Sequence, residues 1–230
     1  MQARMETNPQ ATLVRVKLAP QIVERLRGEI VSGIWAPGAS LPANVLSSRY
    51  GVSHIPVREA LLVLESEGFL SLAPNRMAIV CEPTADDTAE KLVLLQDLEG
   101  LAAQLAAVNA SDEALAGLEQ MQADLEQRFK ARDLAGYHAL NQAFHRRVVE
   151  LSGNASLAEV HQSLSRHLEW ARVRSGIRAG LLSDAPGQHG EVIGFLKKRD
   201  AAGARQVAER HFAAVSASIL AGLRKAAVQE

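Results

Sequence analysis

A chain of 230 residues, 47% hydrophobic and 22% charged, is long enough for two domains with buried cores. A formal net charge of −1 excludes a broadly basic protein, and 4% aromatic content beside abundant Ala and Leu favours helices. The single cysteine, Cys81, excludes an intramolecular disulfide and points to a reducing compartment. With no signal peptide and no apolar run of about eighteen residues, the expected location is cytoplasmic, without a membrane partner. Charge is uneven: residues 1–80 hold eight Lys or Arg against six Asp or Glu, net +2, which leaves −3 for the rest. So mild an excess does not by itself mark a DNA-binding domain.

Residues 1–17, rich in Gln, Thr, Asn and Ala, read as a flexible N-terminal arm. Ile22, Val23, Leu26 and Ile30 then form the apolar stripe of a helix that Gly33 and Pro37-Gly38 stop. Leu41 to Tyr50 reads as a short helix, with Pro42 near its start and Leu46 facing inward. Gly51 permits a tight turn, Ser53 suits an N-cap, and Pro56 falls in a first turn, where its missing N–H costs nothing. Val57, Ala60, Leu61 and Leu64 repeat at i, i+3, i+4 and i+7 and make one buried face. His54, Ile55 and Arg58 point elsewhere, the layout of a recognition helix entering the major groove. Phe69–Leu72 and Ala78–Cys81 read as a two-stranded hairpin with Arg76 near its tip, placed to meet phosphates or the minor groove. Residues 18–81 are therefore expected to form a winged helix-turn-helix.

From Pro83 onward only helical patterns occur. Thr84 or Asp86 caps a helix reaching about Asn109, with Leu92, Leu95, Leu98-Glu99, Ala102 and Leu105 in register. Further helices are expected at about 112–131, with Ser111 as cap, and at 133–152, 155–175, 184–199 and 201–226. Six helices without a strand make an antiparallel bundle over residues 84–226. The fold class is mainly α, a winged helix joined to this bundle.

Within the bundle, Asn141 and His145 are four residues apart and share one helix face. His189 and His211 lie on two later helices. Such a set can converge on a metal ion, although the same spacing suits surface or hydrogen-bonded core histidines. His138 lies about 10 Å along the axis from His145, too far to share one ion. Arg172 follows Leu164 and Leu168 at four-residue intervals on an inward face, with Arg174 and Arg178 nearby. An inward Arg can grip a carboxylate at two points, and a surface Arg merely solvates.

Taken together, Leu26-Arg27, Ile30, Gly33, Pro37-Gly38, Leu41, Leu46, Gly51-Val52-Ser53, Pro56–Leu61, Leu64 and Gly68 make residues 18–81 resemble the DNA-binding domain of the GntR superfamily. Leu98-Glu99, Ala102-Ala103, Phe144-His145, Ser152-Gly153-Asn154, Gln188-His189, Asp200, Ala204 and Arg210-His211-Phe212 make residues 84–222 resemble the FCD domain of its FadR subfamily. The resemblance implies a ligand-sensing bundle, often with a divalent metal held by one Asp and three His. By position these are Asn141, His145, His189 and His211, so Asn stands where relatives carry Asp. An amide carbonyl is a weaker ligand than a carboxylate, which implies a weak Zn or Ni site. Relatives commonly carry Arg at Leu95, Asn44 and His54, and Gly at Met77, whereas Arg58 and Arg76 are retained. Asn can bridge adenine where Arg favours guanine, so Asn44 and His54 imply a shifted operator preference.

The expected protein is a homodimeric transcriptional regulator, read as a repressor. Its DNA contacts are Asn44, Ser53, His54, Ile55, Pro56, Arg58 and Arg76 on palindromic double-stranded DNA. The bundle is expected to bind a small anionic metabolite through Arg172 and Arg174, with a divalent metal as cofactor. A metal-dependent helical-bundle enzyme and an architectural DNA binder that uses the bundle only to dimerise are the alternatives. No general base or nucleophile motif supports the enzyme.

Overall fold

The computed structural model describes residues 18–73, 77–175 and 185–229. The N-terminal arm, Arg76 and Arg178 lie outside them. The winged-helix part comprises α1 (Leu18–Val31), β1 (Ser40–Leu41), α2 (Ala43–Tyr50), α3 (His54–Ser66), β2 (Leu70–Leu72) and β3 (Ala78–Val80). Val57, Ala60, Leu61 and Leu64 of α3 are buried as their spacing requires, against Ile22, Val23, Leu26 and Ile30 of α1. Gly51 ends α2 at φ 66°, a left-handed turn that glycine enters without steric cost. Ser53 occupies the N-cap position of α3, but its side chain makes no capping hydrogen bond.

The expected hairpin has a third strand. β1 pairs antiparallel with β3 (Ser40 opposite Ile79, Leu41 opposite Ala78), and β3 pairs with β2, giving the order β1-β3-β2. Leu41 therefore belongs to the sheet rather than to the helix expected at Leu41–Tyr50. Pro42, extended at φ −66° and ψ 131°, separates the two, and α2 begins at Ala43. Glu29 forms a second unexpected feature. Its buried carboxylate accepts from Trp35 Nε1 at 2.8 Å and Tyr50 Oη at 3.0 Å and pairs with Arg49 at 3.2 Å, tying α1 to the turn and to α2.

The second part is a bundle of α4 (Ala85–Asn109), α5 (Asp112–Lys130), α6 (Leu134–Leu151), α7 (Ala155–Arg174), α8 (Ala185–Lys197) and α9 (Ala201–Gln229). Four of its helices begin at a polar cap that the sequence offers. Thr84, Ser111, Asp133 and Asn154 accept from the backbone N–H groups of Asp87, Ala114, Gly136 and Leu157. The long helices α4 and α9 run against each other, and Ala103, Ala106, Ala107, Ala204 and Ala208 let them approach closely. At Gly100 a Cβ would come within 2.6 Å of the Glu209 side chain, so glycine there serves the same contact. Among the described residues, no helix is long and apolar enough to cross a membrane.

The two parts meet through α7. Trp170 is 1% exposed and buries itself in the winged-helix core, stacked on Phe69 with ring centroids 5.1 Å apart. Beside it, Glu67 accepts from Arg27 at 2.9 Å and 2.7 Å and from Arg166 of α7 at 2.7 Å. Arg174, one turn after Trp170, pairs with Glu82 of the connecting segment. Trp170→Ala should destabilise the protein by about 3–5 kcal/mol, the usual result of emptying a core aromatic site. Thermal unfolding measures it, and a shift within error would show that the winged helix does not depend on this contact.

Candidate functional site

Two surfaces carry the candidate chemistry. On the winged helix, Asn44, Ser53, His54, Ile55 and Arg58 are exposed, Ile55 by 71%, while Pro56 is half-buried. A side chain as apolar as Ile55 standing in solvent at the start of α3 suits contact with a thymine methyl or a sugar. Arg58 makes no ion pair among the described residues, which leaves its guanidinium available. His54 is less free than its position suggests, because its Nδ1 lies 3.2 Å from Ser47 Oγ of α2 and only Nε2 remains for DNA.

In the bundle, three histidines from three helices converge. The metal-ligating ring nitrogens of His145 (α6), His189 (α8) and His211 (α9) lie within 4.8 Å of one another. Ring centroids are 5.3 Å apart for His145 with His189, 5.3 Å for His145 with His211, and 4.7 Å for His189 with His211. His189 is wholly buried, with Phe144 against its ring at 4.5 Å, and neither of its nitrogens has a hydrogen-bond partner. Nε2 of His211 is also unpartnered, while Nδ1 donates to Gln188 Oε1 at 2.6 Å. Buried, unsatisfied nitrogens facing one another fit a divalent cation of the Zn or Ni type, which imidazole ligands suit. Burial is the main force holding His189 down to about 2 and His211 to about 3, with His145 adding to it, so both rings are neutral and their lone pairs free.

Asn141, one turn before His145, lines an adjoining cavity of about 480 Å³. That volume suits a small metabolite. Arg172 lines it too, as the spacing on α7 predicts. Its Nη1 lies 3.5 Å from His138 Nδ1 and its Nε has no partner, as is true of the buried Tyr137 hydroxyl nearby. Burial lowers the Arg172 guanidinium below its ordinary value and raises the Tyr137 phenol to about 12. His138 thus belongs to the Arg172 end of the cavity and not to the histidine triad. Arg174 does not line the cavity. Two residues beyond Arg172 on a helix turns a side chain by more than half a circle, and Arg174 faces Glu82 instead. Leu95 is fully buried in an apolar cluster with Leu92 and Leu168.

Two further residues were not singled out as site residues from the sequence. Glu99 of α4, 6% exposed, lies between His145 Nδ1 at 3.2 Å and His161 Nε2 at 2.8 Å. Burial alone would raise its carboxyl, but the two imidazoles outweigh this and hold it far below the ordinary carboxylate range. Both have a signal in the sequence. Glu99 interrupts the stripe Leu92, Leu95, Ala102 and Ala106, and His161 stands between Leu157, Leu164 and Leu168 on α7. A polar residue in register with an apolar stripe faces the core.

The family comparisons bear on both surfaces. Residues 18–80 match the model of the bacterial regulatory proteins, gntR family, and residues 90–214 match that of the FCD domain. The chain belongs to the GntR family. It is similar to the HTH-type transcriptional regulator McbR of Escherichia coli K12, 30% identical over 70% of this chain and 71% of McbR. An HTH-type transcriptional regulator in an unstable DNA locus of Streptomyces ambofaciens is 31% identical over 83% of this chain and 80% of its own length. The solved structure of E. coli McbR/YncC superposes with a TM-score of 0.74 at 26% identity, over 89% of this chain and 98% of that one. The protein is thus a DNA-binding transcriptional regulator with a helical FCD domain, not an enzyme.

The neutral buried histidines make the metal-free protein acid-sensitive. A histidine held below its unfolded value of about 6.5 takes up a proton mainly on unfolding, so its stabilisation is complete above pH 6.5 and falls as pH drops. Glu99 acts in the same direction below about pH 4.5. Each unit below 6.5 should cost up to about 1.4 kcal/mol per histidine. Thermal unfolding of metal-free protein between pH 7.5 and 5 tests this, and a flat profile would mean that His189 and His211 are solvated.

Proposed function

We propose that this regulator is a homodimeric repressor whose grip on a palindromic operator is set by a small anionic metabolite in the FCD cavity. The observation that carries the reading is that one cavity has walls from both domains: Glu24 and Arg27 of α1 line it together with Arg172 and Arg166 of α7. Arg166 also pairs with Glu67 and, at 3.6 Å, with Glu24. An anion drawn to Arg172 therefore binds beside the ion pairs that join the domains. Such a ligand shifts the protein between DNA-competent and incompetent arrangements only through unequal affinity for the two.

Arg172 is the anchor for a carboxylate, with the Tyr137 hydroxyl and His138 as further partners. Asn141, His145, His189 and His211 would hold a Zn or Ni ion, which when bound supplies a Lewis-acidic point for a second oxygen of the ligand. Three imidazoles and an amide leave the ion's charge uncancelled, which strengthens its attraction for an anion and weakens its own retention. Repression is supported by the HTH-type transcriptional repressor RspR of E. coli K12, 24% identical over 86% of this chain. Dimerisation is supported by the apolar side chains of Val93 and Leu94, 65% and 56% exposed on α4. A cytoplasmic location follows from the DNA target.

Thermal unfolding against a panel of small organic acids, with and without Zn²⁺ or Ni²⁺, tests the sensor. An effector at about 100 times its dissociation constant should stabilise the protein by about 2.7 kcal/mol. Arg172→Ala should lose that response and keep operator binding. If no acid shifts the midpoint or operator affinity, the sensing role falls. On the other surface, Arg58→Ala should weaken operator binding by about 1–3 kcal/mol. Fluorescence anisotropy at fixed salt reads it, and an unchanged Kd would remove Arg58 from the interface.

A further inference from the structure

The carboxylate that Asn141 lacks has a counterpart one layer out. Glu99 is buried behind His145 and meets the triad at that ring's Nδ1, while its oxygens are not among the ligand atoms that gather within 4.8 Å. Both oxygens are engaged, one by His145 Nδ1 and the other by His161 Nε2, whose own Nδ1 faces Ser165 Oγ at 3.3 Å. Held from two sides, Glu99 cannot swing inward to become a ligand. A carboxylate only accepts, so Nδ1 of His145 carries the hydrogen that faces Glu99, and in the neutral ring that a metal requires the lone pair is on Nε2. Gln188 imposes the same tautomer on His211. Two of the three imidazoles are thus oriented from behind, one by a charged group and one by an amide.

We propose that Glu99 is a positioning residue for a divalent cation, supplying through His145 the negative charge that Asn141 withholds from the ion itself. The inference rests on the metal reading above and deepens it. A carboxylate hydrogen-bonded to a ligating imidazole raises that ring's basicity and fixes its direction, and loss of such a partner typically weakens metal binding 10–100-fold. Glu99 does so from a buried position, where little water screens its charge. His161 completes the arrangement by keeping the carboxylate in place.

The test is metal affinity of the full chain, stripped with chelator, for Zn²⁺ and Ni²⁺ by competition with a chromophoric chelator. Wild type, Glu99→Gln, Asn141→Asp and the double variant are compared, with the unfolding midpoint of each metal-free protein as the folding control. Glu99→Gln should bind at least 10-fold more weakly, and Asn141→Asp should restore affinity by placing a charge directly on the ion. An unchanged affinity in Glu99→Gln overturns the proposal. So does a loss that Asn141→Asp cannot rescue, since that marks a merely structural role. If wild type binds neither metal but Asn141→Asp does, the native metal reading fails while the role of Glu99 is decided in that background. There a 10-fold loss in the double variant supports the proposal and no loss overturns it. If Asn141→Asp binds neither metal, both readings fall. Should Glu99→Gln not fold, the histidine ¹⁵N shifts of the wild-type protein decide: His145 protonated at Nδ1 supports the proposal, and a proton on Nε2 overturns it.

Discussion

Trp170 belongs to the bundle by chain order and to the winged helix by packing. A large aromatic ring buried between Phe69 and the α1–α3 core cannot leave without opening a cavity, so α7 is held to the DNA-binding domain at one end. The same helix carries His161, Arg166 and Arg172 along the sensor cavity. Under the proposed sensing role, a rigid helix with one end in each domain would turn a change of packing around a ligand into a change of domain orientation. The Arg27–Glu67–Arg166 ion pairs join α1, the end of α3 and α7 beside Trp170. Desolvation offsets most of the attraction in buried pairs of this kind, so their net contribution to stability is small.

The histidine cluster of the bundle is built on a complementary constraint. A carboxylate inside a helical bundle is tolerated only when it is paired, and Glu99 is paired with two imidazoles rather than with a lysine or arginine. Of those partners, His161 turns its other nitrogen to Ser165 Oγ, and His145 directs Nε2 to the far side of its ring. On the inner side of His145 lie His189 and His211, neutral because burial opposes their protonation. On the outer side, Arg172 is half-buried and forms no ion pair with a carboxylate among the described residues. The cavity therefore offers lone pairs at one end and a cation at the other, a polarity matched to a metal-bound or free organic anion.

Helix content and order were legible in the sequence because both are written locally. Apolar spacing set the buried faces of α1, α3 and α4, and Thr84, Ser111, Asp133 and Asn154 marked where helices begin. Two short-range features escaped this reading. Ser40–Leu41 is too brief for periodicity to mark as a strand and exists only because β3 offers it an edge. Arg174, in the same basic run as Arg172, was grouped with it, although their positions on α7 point them apart.

The sequence by itself determined the class of the protein, the helix that follows the Gly51 turn, and the three histidines that the structure gathers. Each depends on residue type and on spacing within one or two helices. Tertiary structure alone decided which of these groups meet. Glu99 reaches His145 across 46 residues and His161 across 62, and Trp170 finds Phe69 in the other domain. Helical periodicity tells which face a residue occupies but carries no information about what faces it. The partner is chosen by how whole helices pack, and that choice set a buried glutamate behind His145.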